Sequence, residues 1–253
     1  MRLLAGSLGF LCAWFVAVRP AWADDNTTAI IDRSLSLNPS TLQLAASAAW
    51  THFAAVPESV PSNVESLQFG ADFGIMKNLQ AGAVVDIAVS PSSEFDRGLL
   101  SGQYQLLEFA ALRLDLGAQR TGFGGDIDFA FGAGVPVRLK LTDTLALISS
   151  RPFAFGAEDD LFSVRVGSGK TITDYRLPLG ILYQLDKHFA ISGRSGYRSQ
   201  DSASFVPFGA DLTLTVGFVD FGVNFDLAGE VSPDNGPGYF DLLTLRGFLQ
   251  IRI

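Results

Sequence analysis

Cysteine, histidine and long apolar runs are nearly absent from this sequence. The 253 residues include one cysteine, Cys12, and two histidines, His52 and His188. Because Cys12 lies inside a predicted signal, the mature chain has no disulfide and no thiol chemistry. Beyond residue 23 no apolar run reaches the ~18 residues that a membrane-spanning helix needs. The sequence therefore argues against a helical membrane protein.

Positive charge is also scarce relative to negative charge. The formal net charge is −8, and loss of Arg2 and Arg19 with the signal lowers it to −10. A chain this acidic is repelled by a phosphate backbone, so we expect no nucleic acid among its partners.

The first 23 residues have the three parts of a secretory signal. Arg2 supplies the positive start, Leu3–Val18 the apolar core, and Ala21-Trp22-Ala23 a small-x-small cleavage site. We predict cleavage after Ala23, followed by a short periplasmic leader over residues 24–40. An uncleaved membrane anchor is the alternative, which the shortness of the apolar run disfavours.

The clearest pattern in the mature chain is a hairpin at Leu67–Val89. On both arms apolar side chains alternate with Gln, Gly and Asp, and the pattern breaks at Lys77-Asn78. A period of two sends alternate side chains to opposite faces of a sheet, so one face is apolar along its whole length. Each arm has ~10 residues, the length that a tilted strand needs to cross a bilayer.

The same unit of strand, tight turn, strand and longer loop recurs to the end of the chain. We predict that residues 41–253 are all-β and form a single closed antiparallel transmembrane β-barrel of about 12 strands, with short periplasmic turns and longer extracellular loops. A soluble secreted β-sandwich is the rival fold.

Two of the predicted strands are less regular than the rest. Strand four is predicted at Leu100–Leu106, after a loop at Ser90–Gly98. Strand seven is predicted at Leu145–Phe155, before a long loop at Gly156–Lys170 in which Leu161–Val166 is an alternative strand.

The signal, the alternating strands and the closing strand Tyr239–Ile253 together resemble bacterial outer-membrane β-barrel proteins of the porin-like class. Ile31–Leu37 also resembles the lead-in of some outer-membrane transporters. The resemblance implies location in the bacterial outer membrane, contact with its lipid, and recognition of Tyr239–Ile253 by the barrel assembly machinery. That class usually ends on an aromatic residue, whereas this chain ends on Ile253.

Three features test for catalytic or metal chemistry. Val166–Thr171 ends like a phosphate-binding loop, but Val164 stands where that motif needs glycine. A lipid-modifying barrel enzyme needs a base beside a nucleophile, and the two histidines are predicted at opposite ends of the barrel. Glu158-Asp159-Asp160 fits a solvated acidic loop better than a Ca²⁺ site. We expect no catalytic residue, no cofactor and no metal, and the enzyme is a less favoured alternative.

Charged side chains with inward parity are the candidate functional residues. Those predicted to line the pore are Asp86, Arg113, Asp115, Arg138, Arg176, Arg194, Asp211, Asp226 and Arg246. Buried charges need either water or partners. A wet lumen orients polar solutes and sets ion preference. A paired lumen, with Arg194 held by Asp211 and Asp226, shuts the barrel.

Inward glycines favour the wet lumen, because they leave space. They are Gly70, Gly82, Gly132, Gly134, Gly180 and Gly209. We therefore predict a passive channel or transporter for small hydrophilic solutes with a charged lumen, and not an enzyme. A non-conducting structural or surface-binding envelope barrel is the alternative.

Overall fold

The structure is a computed structural model, which describes residues 29–53, 61–120, 125–149, 161–167, 174–200, 203–230 and 242–253. The predicted signal with its cleavage site, the acidic stretch at residues 158–160 and the first residues of the predicted closing strand lie outside these ranges. None of the described residues forms a helix long and apolar enough to cross a membrane.

Within the described ranges the chain forms one 3₁₀ turn at Ile30–Asp32 and fourteen strands. The strands are β1 (Leu42–Phe53), β2 (Asn63–Met76), β3 (Leu79–Ser90), β4 (Glu94–Leu107), β5 (Ala110–Arg120), β6 (Ile127–Val135), β7 (Arg138–Lys140), β8 (Leu145–Ile148), β9 (Leu161–Gly167), β10 (Asp174–Gln184), β11 (Phe189–Gln200), β12 (Ala203–Val216), β13 (Val219–Glu230) and β14 (Leu242–Arg252).

All of these strands belong to one antiparallel sheet. Strands adjacent in the chain pair with each other from β1 to β6 and from β10 to β14. The last strand also pairs with the first, with Gln43 opposite Arg252 and His52 opposite Leu243. β10 pairs with β11 on one side and with β8 and β9 on the other. The predicted all-β antiparallel fold class is therefore confirmed.

The two faces of the sheet differ in both polarity and exposure. On β5, Leu112, Leu114 and Leu116 are 41%, 46% and 48% exposed, whereas Asp115 between them is 2% exposed. We call the two sides the apolar face and the polar face. A water-soluble sandwich would bury its leucines between two sheets, and a large exposed apolar surface marks contact with lipid or protein. The single sheet with its apolar side outward is not the soluble sandwich.

Strand β4 is longer than the sequence pattern predicted. It begins at Glu94, so the loop predicted at Ser90–Gly98 shrinks to three residues. The charged pair Asp96-Arg97 was interpreted as loop sequence, but Arg97 lies in the sheet and forms an ion pair with Asp86 on β3. The ion pair across the ladder explains why a charged residue occupies this strand position.

The region between β6 and β10 also differs from the prediction. The strand predicted at Leu145–Phe155 ends at Ile148 in the described residues, and Leu161–Gly167, predicted mainly as loop, is a strand. β8 pairs with Gly180–Tyr183 of β10, and β9 pairs with Asp174–Arg176 of the same strand. The two short strands therefore lie one after the other along a single edge of β10.

Short turns gather at one end of the sheet, which we call the tight-turn end. Turns at Lys77-Asn78, Glu108-Phe109 and Gly217-Phe218 connect neighbouring strands there. Asn78 and Gly217 adopt positive φ angles of 69° and 61°, the left-handed conformation that short hairpin turns require. The chain also ends here, because the Ile253 N–H donates to the oxygen of Leu42 at the start of β1.

Candidate functional site

The nine predicted pore-lining residues all lie on the polar face, interleaved with the exposed apolar residues of their strands. They come from β3 (Asp86), β5 (Arg113 and Asp115), β7 (Arg138), β10 (Arg176), β11 (Arg194), β12 (Asp211), β13 (Asp226) and β14 (Arg246). Their common parity follows from the period of two along each strand. Which of them meet depends on the register of the pairs.

Arg194 lies between two carboxylates. Its Nε donates to Asp211 Oδ2 at 2.9 Å, and its Nη2 donates to Asp226 Oδ1 at 2.8 Å. Ser192 Oγ and Asn224 Nδ2 also donate to Asp211, the latter at 2.7 Å. We call these five residues the Arg194 cluster. The Arg194 side chain is 11% exposed, and Arg194 donates charge-assisted hydrogen bonds to both carboxylates.

Glycine makes the contact between β11 and β13 possible. Gly209 on β12 is opposite both Arg194 and Asp226 in the two ladders. A Cβ at Gly209 would lie 2.7 Å from Arg194 Nη2 and 2.3 Å from Asp226 Oδ1. Only a residue without a side chain therefore lets the arginine cross β12 to reach the second carboxylate.

The glycine argument for an open lumen is wrong at three of its six positions. The Arg194 and Asp226 side chains fill the space beside Gly209. A Cβ at Gly180 would lie 2.8 Å from Arg194 Cγ, and one at Gly82 would lie 2.0 Å from Asp72 Oδ1. The side chains of neighbouring strands occupy the volume that these glycines leave. A polar replacement at Gly180 is therefore expected to clash.

On β3 to β5 the charged residues have different partners. Asp86 pairs with Arg97, and both side chains are nearly buried. Arg113 donates from Nε and Nη2 to Gln103 Oε1, at 2.9 Å and 2.7 Å. Gln103 is a neutral acceptor, and the two hydrogen bonds orient the guanidinium. Arg97 was not among the predicted pore-lining residues, although it has the same parity along β4 as Gln105, Gln103 and Ser101.

The three remaining arginines lie on β7, β10 and β14. Arg176 is opposite Arg198 across the β10–β11 ladder, and Arg246 is opposite Asn224 across the β13–β14 ladder. Arg138 lies near the tight-turn end, where its Nη1 donates to the backbone oxygens of Ile30 at 3.0 Å and Arg33 at 2.8 Å. Arg138 therefore binds the segment that precedes β1.

That segment, Ala29–Thr41, which we call the leader segment, packs against the polar face at the tight-turn end. Ile30 and Ile31 are 1% and 4% exposed. Their neighbours in the buried cluster are Ala146 and Ile148 of β8, Leu182 of β10 and Ala190 of β11. Sequence analysis predicted only a short periplasmic leader here, although Ile30 and Ile31 were a signal of this packing.

The two histidines have contacts of an ordinary structural kind. His52 stacks on Trp50 with ring centroids 5.8 Å apart, and its Nδ1 lies 3.0 Å from Asn63 Oδ1. His188, at the tight-turn end, has its Nδ1 2.9 Å from the backbone oxygen of Thr215. Across the described ranges no three His, Cys, Asp or Glu residues form a group that could hold a metal ion. The expectation that the chain is not an enzyme stays a prediction.

Comparison with known proteins gives structural neighbours only. No protein-family model matches the chain, and no relative is found among curated proteins. The structure is similar to KdgM porin, solved in complex with disordered oligogalacturonate, with a TM-score of 0.54 and 10% identity over 83% of this chain and 98% of that chain. An outer membrane channel from Pseudomonas putida F1 gives a TM-score of 0.52 and 14% identity over 93% of this chain and 100% of that one.

A third neighbour is LpxR from Salmonella typhimurium, with a TM-score of 0.52 and 10% identity over 83% of this chain and 99% of that chain. At these identities the likeness concerns the fold. The chain has the outer-membrane β-barrel fold that porins and channels share, as the sequence resemblance predicted.

Proposed function

We propose that the chain is an outer-membrane channel that passes small hydrophilic solutes by passive diffusion. The observation that supports this function most directly is the polarity of the two faces of the sheet, which is the reverse of that in a water-soluble protein. Its exposed face is apolar, as contact with lipid requires, and its enclosed face carries charged side chains from many strands. Charges inside a membrane are costly unless they are paired or line a water-filled path.

The proposal includes a closed barrel of twelve strand positions. β7 continues the course of β6, since Arg138 N donates to Phe109 O in the turn before β5, and Ala111 N on β5 donates to Pro136 O. β8 and β9 share one edge of β10, so the fourteen strands occupy twelve positions. The pairings of β1 with β14 and of β10 with β11 support closure. Closure removes the free edges that lipid does not tolerate.

The proposed position in the membrane follows from the same geometry. The apolar face contacts outer-membrane lipid, the tight-turn end faces the periplasm, and the longer loops face outward. The barrel assembly machinery recognises the closing strand Tyr239–Ile253. Its described part supports this role, because Leu242–Arg252 pairs with β13 and β1 together and so completes the sheet.

Arg113 is the residue that we expect to set ion preference. Its guanidinium lies on the polar face, where two hydrogen bonds to Gln103 Oε1 hold it, so its removal changes the charge of the wall that a solute passes. Arg138 is less suitable as a probe of selectivity, because it also holds the leader segment.

A non-conducting envelope barrel is the second candidate. The Arg194 cluster favours it, because Arg194 and its two carboxylates form the paired arrangement that closes a lumen. The two candidates differ in one measurable property, which is ion conductance.

The test is conductance of the purified protein in a planar bilayer. We expect stepwise ion currents, and we expect Arg113→Ala to shift the reversal potential toward cation preference, because it removes positive charge from the wall. Lys77→Ala is the control, since it removes one positive charge from an exposed turn. Absence of current both with and without the leader segment would overturn the channel and leave the structural candidate.

A further inference from the structure

The leader segment contacts strands on widely separated parts of the sheet. It is bonded to β3 and β4 through glutamines, to β7 through Arg138, to β10 through Gln184, and to β13 through Asp220. In the strand order β4 and β13 are five steps apart. A segment of a dozen residues reaches both only by lying across the tight-turn end.

Four glutamines of the polar face bind the backbone of the leader segment. The bonds are Ile31 N to Gln184 Oε1 (3.2 Å), Ser36 N to Gln105 Oε1 (3.2 Å), Leu37 N to Gln80 Oε1 (2.8 Å) and Gln103 Nε2 to Leu35 O (2.5 Å). An amide offers both a donor and an acceptor, so it satisfies the N–H and C=O groups of a buried chain without adding charge. The glutamines therefore form a seat for this segment.

A buried ion pair fixes the middle of the segment. Arg33 donates from Nη1 and Nη2 to the two oxygens of Asp220, both at 2.8 Å, and from Nη2 to Thr215 Oγ1 at 3.1 Å. The side chains of Arg33 and Asp220 are 9% and 2% exposed. This bidentate geometry is the strongest kind of arginine–carboxylate contact. Arg252 Nη2 lies 3.3 Å from Asp220 Oδ2, so removing this aspartate leaves two buried cations without the counter-ion that they share.

A glycine on β2 gives the leader segment room to lie close to the backbone of the sheet. A Cβ at Gly74 on β2 would lie 2.0 Å from the backbone oxygen of Asn38. Ser40 N donates to Gly74 O at 2.8 Å, and Gly74 N donates to Thr41 O at 2.9 Å. Glycine is thus required where the leader segment turns into β1.

The segment is also linked to the charge that we expect to set ion preference. Gln103 accepts two hydrogen bonds from Arg113 and donates to Leu35 O. Displacement of the leader segment therefore removes a contact that orients Gln103, which is the acceptor for Arg113.

We propose that the leader segment is a plug that closes the tight-turn end of the channel and that the Arg33–Asp220 ion pair holds it in place. The inference rests on the proposed channel function and specifies how that channel is regulated. Release of the ion pair lets the segment leave its glutamine seat. The wall of the barrel alone then sets the width of the pore at the tight-turn end.

The test uses two readouts, of which only one depends on conduction. The mature chain has no cysteine, so Ser36→Cys, at a position 5% exposed, reports on the plug through its reaction with a maleimide. In this background we expect Arg33→Glu to speed labelling about tenfold or more, because Asp220 repels the new carboxylate. Unit conductance should rise in the same variant.

Two further variants complete the design. Asp220→Asn weakens the same ion pair from the wall and should act in the same direction as Arg33→Glu. Lys140→Glu is the matched control, because it reverses the cation of an exposed pair with Asp32 in which both side chains are 41% exposed. We expect little change from it, since exposed pairs contribute little. Folding of each variant is checked by its heat-modifiable migration on a gel.

The outcomes separate the plug from the channel. Faster labelling and larger conductance in Arg33→Glu and Asp220→Asn, with neither in Lys140→Glu, support the plug. Equal labelling and equal conductance in all folded variants overturn it while the channel stands. Faster labelling with no current in any variant overturns the proposed channel, and the plug then has nothing to close.

Discussion

Arg194 and Arg113 are the same residue type on the same face of the sheet, yet their surroundings differ. Arg194 on β11 bonds to two aspartates, with its Nε 2.9 Å and its Nη2 2.8 Å from their oxygens. Arg113 on β5 bonds to the neutral Gln103. The register causes this difference, because Gly209 opposite Arg194 opens a path to β13, whereas Gln103 is directly opposite Arg113.

The comparison separates two uses of a charged interior. Where acids and bases neutralise each other, the wall is stabilised and offers little field to a solute. Where an amide is the acceptor, the contact orients the guanidinium, and removal of the arginine changes the charge of the lumen wall. The Arg194 side of the barrel is therefore expected to carry stability, and the Arg113 side is expected to carry selectivity.

The largest expected effect is the difference in stability between two alanine substitutions. Arg194→Ala leaves the buried Asp211 and the partly buried Asp226 without their shared cation, which should lower the free energy of unfolding by ~3–5 kcal/mol. Arg113→Ala removes two hydrogen bonds to the neutral Gln103, and we expect a smaller loss. Trp50, the one tryptophan left after the predicted cleavage, reports unfolding by urea in lipid vesicles.

Arg194→Lys is the control for this pair, because it keeps the charge and loses the two-sided reach of the guanidinium. It should fall between wild type and Arg194→Ala. Equal losses at positions 194 and 113 would show that the two sides of the wall do not differ in the way proposed.

The next prediction compares the apolar face on the Arg194 side of the sheet with the apolar face on the Arg113 side. Leu179 on β10 and Leu116 on β5 are 61% and 48% exposed on the apolar face. Arginine at either position faces lipid, so each substitution should cost ~2–4 kcal/mol, and the two costs should be similar. The same urea titration measures both, and Leu179→Phe is the apolar control. Tolerance of arginine at both sites would contradict the assignment of the faces.

The smallest effect concerns the turn between β10 and β11, beside the Arg194 side. The backbone N–H groups of His188 and Phe189 donate to Asp186 Oδ1 at 2.6 Å and 2.9 Å, and they lower the pKa of this carboxyl below its usual range. The folded form therefore favours the carboxylate. The resulting stabilisation is present above the ordinary aspartate pKa and is lost as the pH falls through the lowered folded pKa.

We expect Asp186→Asn to reduce stability slightly at about pH 7 and to remove this part of the acid sensitivity down to about pH 3. The measurement is the urea midpoint at both pH values. Thr142 is the control, because its hydroxyl accepts from Thr144 N and Leu145 N in another turn and does not titrate in this range. A Thr142→Val loss should be the same at both pH values. An unchanged acid response in Asp186→Asn would exclude the role of this carboxyl.

Much of the fold could be predicted because its signal is local. Alternation along β2 and β3 alone indicates strands, faces and the turn at Lys77-Asn78. The start of β4 could not be predicted in the same way, and β9 was indicated only as an alternative strand at Leu161–Val166. Arg97 is a charged residue whose strand position makes sense only beside Asp86. β9 takes its place by pairing with both β6 and β10.

The sequence by itself determined the class of fold, because the period of two is a property of single strands and assigns each side chain to a face. Tertiary structure decided which charges meet. Parity allowed the pairing of Arg194 with Asp211 and Asp226 only as one of two alternatives, and it did not indicate the contact between Arg33 and Asp220, which are 187 residues apart. Such contacts depend on register and on the path of the leader segment across many strands. No local pattern records either of them, since both arise only when distant strands come together in one sheet.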